Sequence, residues 1–327
     1  MITRKIKIND LGAIISYQKK MFPERNDFSE RLVSFWFSKS PNECEYSFLL
    51  DDNEITRGEL LFSSMNYYYN GIKHSDFWAF DLIVDEELRK DGWGLNLMMK
   101  AFKEHNTCFC TGSGPLALKI EMKLGFYIIG EIRKYVRLIN PLYFFNSIKR
   151  GNLSRDKYPE YIEVDNVKFD KINLSDMPNI VTPFNDNLLE IGRDDLFFKW
   201  RFKDLHEYVI YKQNSCNNYF VIRSFVKKGI TAMVLVDFRC PLNKKNDYNL
   251  IINAAIKVTK RLRLPILVTG SSLSLSDEIL ERRHFKSIGR PRPIITKDKR
   301  YKEQKESQNN RNFCLVTLAD SDGEVLL

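Results

Sequence analysis

The sequence predicts a mixed α/β protein with two successive domains, each a central mixed sheet flanked by helices. Its 327 residues are more than one typical domain needs. Short apolar segments with strand-like alternation are followed by segments whose apolar residues recur at helical spacing. A looser version of this order returns in the second half, which suggests a weak internal repeat.

The first half carries the clearer pattern. Residues 77–84 are apolar nearly throughout and are expected to form a central strand. Predicted strands lie at 2–8, 46–52, 56–69, 77–84, 107–112 and 127–139, and predicted helices at 10–22, 28–38, 95–105 and 117–124.

Residues 140–160 break this periodicity, so we place the domain boundary there and predict domains at 1–145 and 146–327. In the second half the pattern predicts a hairpin, two helices and two further strands. They lie at 219–239, 249–262, 265–271, 277–285 and 313–319.

Composition bounds the class of protein. No stretch approaches the roughly 20 apolar residues of a membrane span. The first residues lack the apolar core of a secretory signal, so we expect a cytoplasmic protein. Six scattered cysteines in apolar surroundings suit reduced, buried thiols, and no ligand spacing predicts a metal site.

The formal charge of +9 is best explained by a lysine-rich solvated surface, and we do not expect nucleic acid as the partner. One segment near the C-terminus is more basic than the rest and would suit a substrate that carries phosphates. It contains Arg290, Arg292, Lys297, Lys299, Arg300, Lys302 and Lys305.

The segment from Phe80 to Gly94 carries the predicted chemistry. An apolar strand runs into a turn with two glycines, Gly92 and Gly94, and a predicted helix follows at once. Unpaired N–H groups at a helix N-terminus bind anions, and glycine lets the backbone approach a phosphate closely. Arg89 and Lys90 add positive charge. This pattern predicts a diphosphate site.

The pattern Arg89-x-x-Gly92-x-Gly94 after such a strand resembles the signature of the GNAT superfamily of acyl-CoA-dependent N-acyltransferases. Ala117 and the Leu124–Phe126 segment resemble the alanine and Leu-Gly-Phe of the next helix in that family. A dinucleotide site is disfavoured because its third glycine would fall at Leu97, and no Gly-Lys-Ser/Thr of a Walker loop follows.

The resemblance implies acetyl-CoA, or another acyl-CoA, as the cofactor. The pantetheine arm would lie along the backbone of Leu82, Ile83 and Val84 like an added strand. The backbone amides that would hold the diphosphate are those of Arg89, Lys90, Asp91, Gly92, Trp93, Gly94 and Leu95. A bulky acid at Gly92 is expected to abolish coenzyme A binding with the fold intact.

Acyl transfer also needs a base, an acid and an oxyanion donor. Asp81 interrupts the apolar strand just before the turn, and burial would raise its pKa, so we predict it as the base. Glu59 and His74 are weaker candidates. The N–H groups near Ile83 could stabilise the oxyanion.

Two positions depart from the family pattern. Gly114 stands where the family often has asparagine, and Glu121 stands where it often has the tyrosine that protonates the thiolate. Glu121 is therefore the predicted acid.

The second half lacks a glycine pair after its strand Val234–Arg239, so a second GNAT-like domain would have a degenerate cofactor site. Its segments Phe197–Phe202 and Thr317–Asp322 resemble tandem GNAT-like proteins linked to bacterial surface-polysaccharide loci. Trp200 and Arg201 are candidates for shaping an acceptor site.

The sequence thus predicts an acyl-CoA-dependent N-acyltransferase, with direct transfer in a ternary complex to a small-molecule amine, for example a nucleotide-linked amino sugar. Two alternatives stay open: a non-catalytic GNAT-like binding module for a polyanionic partner, and an aminoacyl-tRNA-dependent transferase. The acyl chain length and the oligomeric state are not determined by the sequence.

Overall fold

The structure is a computed structural model that describes residues 1–38, 44–180, 182–243, 245–302 and 312–320. The chain forms two compact units. Unit 1 contains the described residues of Met1–Asn66, Ser75–Ile129 and Pro293–Ser307, and unit 2 contains those of Tyr67–His74, Gly130–Arg292 and Gln308–Leu327. The chain therefore returns to unit 1 after its main passage through unit 2. The predicted domain boundary at residues 145/146 stays a prediction.

Unit 1 begins with β1 and ends with a strand segment from the C-terminal part of the chain. Its strands are β1 Ile2–Lys5, β2 Phe48–Asp52, most of β3 Ile55–Tyr69 and β4 Ile72–Val84, β5 Phe109–Thr111, the start of β6 Tyr127–Leu138, and the end of β14 Lys286–Thr296. Its helices are α1 Leu11–Met21, α2 Asn26–Val33, α3 Glu86–Arg89, α4 Trp93–Glu104 and α5 Pro115–Lys123.

The sheet of unit 1 has the order β1-β2-β3-β4-β5-β14. Strand β5 runs parallel to β4, and β14 runs antiparallel to β5. One core cluster joins the sheet to α4: Leu60 and Ala79 from the strands lie with Leu97, Met98 and Phe102 from the helix. Apolar residues at helical spacing thus bury one face of α4, as the sequence predicts.

Unit 2 contains the remaining elements. Its strands are β7 Tyr161–Val164, β8 Val167–Ile172, β9 Leu189–Ile191, β10 Val209–Gln213, β11 Tyr219–Lys227, β12 Ile230–Arg239, β13 Ile266–Ser271 and β15 Cys314–Leu315, with most of β6 and the start of β14. Its helices are α6 Tyr143–Ser147, α7 Asp195–Lys203, α8 Lys245–Arg261 and α9 Ser274–Arg282.

The sheet of unit 2 has the order β6-β13-β12-β11-β10-β8-β7, and β12 and β13 are its parallel pair. Helix α8 connects these two strands, as α4 connects β4 and β5 in unit 1. A core cluster of its own packs α8 and α9 on the sheet. The predicted mixed α/β class is confirmed, and the strands within each unit form both parallel and antiparallel pairs, with flanking helices.

Three predicted elements differ from the structure. The helix predicted at 28–38 ends at Val33 and continues as a π-helical turn, Ser34–Ser38. The strand predicted at 313–319 is confined to β15, because the following residues bond to side chains of unit 2. The turn after β4 contains the short helix α3, so α4 does not follow the strand at once.

A buried ionic network lies at the end of β12. The carboxylate of Asp237 accepts hydrogen bonds from Arg193 at 2.9 and 3.0 Å and from Arg239 at 2.9 Å. The hydroxyls of Tyr219 and Thr317 donate to it at 2.9 and 2.7 Å. Burial alone would raise the pKa of Asp237, but the two guanidinium groups outweigh burial and hold the pKa below its usual value.

We expect Asp237→Asn to lower the free energy of unfolding at pH 7 by about 3–5 kcal/mol, because it leaves two buried guanidinium groups without their main counter-charge. Urea denaturation measures this difference. Since the folded pKa is depressed, the contribution is present above the unfolded pKa of about 4 and is lost as pH falls through the folded value. The difference in free energy of unfolding between the wild type and Asp237→Asn should therefore become smaller at acid pH.

The control is Asp195→Asn, which breaks the exposed pair with Lys199 in the same unit. It should cost about 0.5 kcal/mol or less. Equal stabilities of the two variants would contradict a stabilising role for the network.

Candidate functional site

The candidate site lies where the parallel strands β4 and β5 part. Their register covers two pairs, Trp78 with Phe109 and Ala79 with Cys110. Strand β5 ends at Thr111, whereas β4 continues to Val84. The last residues of β4 therefore extend beyond the described pairing with β5. Ligands of α/β folds bind at this carboxyl end of parallel strands.

Asp81 marks the point of divergence. Its backbone has a φ of 46°, in the left-handed region that aspartate tolerates better than most residues. The side chain is half-buried rather than buried. On the other side of β4, a Cβ at Gly58 would lie 3.0 Å from the Ile83 carbonyl oxygen, so glycine permits the close approach of β3. The shape of β4 here depends on both residues.

Charged side chains fix the turn that follows β4. The buried carboxylate of Asp85 pairs with Arg57 at 2.9 Å and with Lys20 at 3.1 Å. The Asp85 N–H donates to the Arg57 carbonyl at 2.9 Å, and the Tyr17 hydroxyl donates to the same carbonyl at 3.1 Å. Asp85, Arg57, Lys20 and Tyr17 therefore tie β3, β4 and α1 together beneath the turn.

The N-terminus of α4 faces the end of this turn. Gly92 caps the helix in the left-handed conformation, with φ 77° and ψ 11°. The first helical bond runs from the Asn96 N–H to the Gly92 carbonyl at 3.0 Å. Helix geometry therefore leaves the N–H groups of Trp93, Gly94 and Leu95 without intrahelical acceptors. These are three of the seven amides predicted to hold a diphosphate.

The side chains of the predicted cradle have three kinds of surroundings. The Arg89 guanidinium donates to the Val84 carbonyl at 2.9 Å, so it braces the turn. Lys90 and Asp91 are exposed. Leu82 and Trp93 pack against the core cluster of unit 1.

The two glycines of the turn differ. Gly92 has a positive φ, so any side chain there strains the backbone and would lower stability as well as change the site. That a Gly92 variant keeps the fold intact stays a prediction. Gly94 has ordinary helical backbone, and a Cβ there would lie 3.7 Å from Val84 Cγ2, an ordinary contact. The described part of the protein would accommodate a side chain at position 94. The absence of one leaves room for a ligand to approach the backbone.

Glu121 is buried on α5, with 4% of its surface exposed. The Ser113 hydroxyl donates to its Oε1 at 3.0 Å, and its Oε2 has no hydrogen-bond partner in the described part of the chain. Burial raises the pKa of this carboxyl, and the Ser113 bond only partly offsets that effect. Glu121 is thus a desolvated acid, unlike a typical glutamate on a helix surface.

Glu59 is a second desolvated acid, 0% exposed on β3. The Gln18 amide of α1 donates to its Oε1 at 2.9 Å, while Oε2 lacks a hydrogen-bond partner among the described residues. Burial and the charge of nearby Asp81 raise the pKa of Glu59 to about 8. The structure therefore brings Glu59 and Asp81 together as a carboxyl pair beside the divergence of β4.

From the sequence alone Glu59 ranked below Asp81, although local signals for its burial were present. A glutamate followed by Leu60-Leu61-Phe62 in a predicted strand was a signal for burial, and Gly58 before it was a signal for close strand packing. No local sequence pattern predicts that Gln18 or Asp85 belongs to the site, because their contacts join elements that are distant in sequence.

Other predicted site residues have contacts within unit 2. His74 stacks on the buried ring of Tyr67, with ring centroids 5.2 Å apart. Arg201 is buried and donates to the Ala319 carbonyl at 2.8 Å and to the Tyr208 hydroxyl at 3.1 Å, contacts that pack α7.

The basic segment is described as far as Lys302, and Lys305 lies outside the described residues, as do Ser321 and Asp322. In the described part of the chain, no three His, Cys, Asp or Glu side chains gather as a metal site would require. No described helix is both long and apolar enough to cross a membrane.

Neither a protein-family model nor a curated protein sequence matches this chain. Solved structures do resemble it. A GCN5-related N-acetyltransferase from Anabaena variabilis has a TM-score of 0.60 at 11% identity, over 90% of this chain and 71% of that chain. A probable N-acyltransferase from Enterococcus faecalis has a TM-score of 0.58 at 9% identity, over 90% and 71%.

The N-myristoyltransferase of Saccharomyces cerevisiae, solved with bound myristoyl-CoA, has a TM-score of 0.54 at 12% identity, over 81% of this chain and 72% of that chain. At such identities the likeness concerns the fold. This chain has the fold of the GNAT superfamily.

Proposed function

We propose that the protein is an acyl-CoA-dependent N-acyltransferase whose site lies in unit 1. The observation that carries the proposal is the N-terminus of α4, where three backbone amides have no intrahelical acceptor. Gly94 lies among them, although a Cβ at this position would make only an ordinary contact within the protein. The end of β4, which extends beyond the described pairing with β5, supplies a backbone edge along which a pantetheine arm can lie.

In this proposal acetyl-CoA is the donor. The amine nitrogen attacks the thioester carbonyl carbon, and backbone N–H groups near Ile83 stabilise the oxyanion. The C–S bond then breaks, the acyl group stays on nitrogen, and the sulfur leaves as a thiolate. One proton passes from the amine to a base, and one reaches the thiolate from an acid.

Asp81 is the proposed base, because it is half-buried and can meet an acceptor, whereas Glu59 is fully enclosed. With its pKa raised to about 8, Glu59 is mostly protonated at neutral pH. Glu121 is the proposed acid, since burial favours its protonated form.

The proposed acceptor is a small-molecule amine. An amino sugar, for example a nucleotide-linked one, would suit the basic composition of the chain, and a role in polysaccharide biosynthesis would follow from the resemblance of its second half. A cytoplasmic location fits the use of acetyl-CoA as donor.

The cradle is tested with Gly94→Asp. Aspartate in the first turn of a helix favours the helix by about 0.3–1 kcal/mol, so the fold should persist. The carboxylate would occupy the amides and repel a diphosphate, and loss of charge-assisted hydrogen bonds should weaken coenzyme A binding by about 100-fold or more. Thermal-shift and calorimetric titrations with acetyl-CoA and coenzyme A measure the change.

The matched control is Gly12→Asp. Gly12 is the second residue of α1 as Gly94 is the second of α4, and a Cβ there meets nothing within 4 Å. This variant should bind coenzyme A like the wild type. Unchanged affinity in Gly94→Asp would refute the cradle.

The base is tested by the pair Asp81→Asn and Glu59→Gln. We expect Asp81→Asn to lower kcat by about 10²–10⁴ in an amine panel, as for loss of a general base. Glu59→Gln mimics the protonated form and should stay close to wild type at pH 7. A low kcat in Glu59→Gln with a wild-type kcat in Asp81→Asn would assign the base to Glu59. Wild-type kcat in both variants would show that neither residue takes the proton.

Stability against pH gives an independent readout for Glu59. Because its folded pKa of about 8 exceeds the unfolded value of about 4.3, its contribution is complete below pH 4.3 and is lost as pH rises through 8. Urea titrations should show this loss in the wild type and its absence in Glu59→Gln.

Glu121→Gln tests the acid. Acetyl-CoA affinity should change little, whereas kcat should fall by about 10²–10⁴ because the thiolate loses its proton donor. Steady-state kinetics and calorimetry separate the two quantities. The control is Glu54→Gln, an exposed glutamate at the β2–β3 turn. A Glu121→Gln variant with wild-type kcat would show that another group or water supplies the proton.

A further inference from the structure

Unit 2 repeats the strand divergence of unit 1 at a matching position. Its parallel strands β12 and β13 are in register at two pairs, Met233 with Leu267 and Val234 with Val268. Two residues later, Val236 is an extra residue in the pairing with β11. In unit 1 the left-handed Asp81 likewise lies two residues after the last registered pair. By this alignment Asp237 corresponds to Leu82 and Arg239 to Val84.

In unit 2 the carboxyl ends of these strands are covered by the chain itself. The segment Cys314–Asp320, here called the closing segment, lies against both strands. On β13, a Cβ at Gly270 would come within 2.8 Å of Leu318, so the lack of a side chain on β13 makes room for Leu318. On β12, the Thr317 hydroxyl donates to Asp237 at 2.7 Å.

Further bonds hold the closing segment along its length. The Ser272 hydroxyl donates to the Cys314 carbonyl at 2.7 Å and accepts from the Val316 N–H at 2.9 Å. Arg193 pairs with Asp320 at 2.7 Å. Residues 314–319 are all buried. These contacts fill the edge at which a ligand of unit 2 would have to bind.

The turn after β12 is also satisfied internally. The Leu242 N–H donates to the Asn185 side-chain oxygen at 2.7 Å, and the Asn185 amide group donates to the Cys240 carbonyl at 3.3 Å. Unit 1 has open amides at the N-terminus of α4, whereas a side chain of unit 2 takes the amide that precedes α8.

We propose that the closing segment is an internal ligand of unit 2: it occupies the position that corresponds to the acyl-CoA slot of unit 1, so the chain holds one acyl-CoA. The expected stoichiometry of one acyl-CoA rests on the proposed function. The position of the closing segment does not depend on it. Unit 2 then serves as a closed structural partner, and its ionic network secures the segment.

Calorimetry of the full chain with coenzyme A tests the stoichiometry. We expect one site, and Gly94→Asp should weaken binding to it by about 100-fold or more. A second site whose affinity Gly94→Asp leaves unchanged would overturn the proposal.

Hydrogen exchange by mass spectrometry tests the closing segment even if coenzyme A does not bind at all, an outcome that would count only against the proposed function. Amides of 314–320 should be as protected as those of β12. Thr317→Val keeps the shape but removes the bond to Asp237, and it should speed their exchange about tenfold. Ser175→Ala, an exposed hydroxyl in the same unit, is the control. Exchange of 314–320 as fast as that of the exposed Lys228–Gly229 turn in the wild type would overturn the proposal.

Discussion

In each unit two parallel strands are paired over only two residue pairs and then diverge, and this divergence is the main constraint on the structure. Backbone N–H and C=O groups of the longer strand then need other partners, because an unpaired buried polar group is costly. In unit 1 the longer strand is β4, and in unit 2 it is β12. The local backbone differs, with a left-handed Asp81 in one and the extra residue Val236 in the other.

The two units meet this constraint with different chemistry. In unit 1 the end of β4 extends beyond its described pairing with β5, and the unit contains two desolvated acids, Glu59 and Glu121. Each has one carboxyl oxygen that lacks a hydrogen-bond partner among the described residues. Such groups cost stability and are typical of sites that act on a ligand. In unit 2, Thr317 and Leu318 pack against β12 and β13, and the Asp237 carboxylate has the guanidinium groups of Arg193 and Arg239 as close partners. Desolvation raises the pKa of both carboxyls in unit 1, whereas at Asp237 the two guanidinium groups outweigh it and lower the pKa.

The proposed anion site and the proposed acid and base also differ in how they could be predicted. The cradle is local: Gly92 caps α4 and Gly94 follows two residues later, so the spacing in the sequence already carries the geometry. The acids are not local. Asp81 is predicted because it interrupts an apolar strand, but Glu59 near it comes from the neighbouring strand, and Gln18 of α1 donates to Glu59. Arg89 shows the limit of the local pattern, since its guanidinium braces Val84.

The sequence by itself determined the mixed α/β class, most element positions and the glycine turn, because periodicity and backbone preferences act over a few residues. Only the tertiary structure decided which acids are buried, that residues 314–320 pack against unit 2 rather than form a long strand, and that the chain returns to unit 1 at Pro293. These features depend on contacts between elements tens to hundreds of residues apart, such as Thr317 with Asp237, and on the desolvation that such contacts produce.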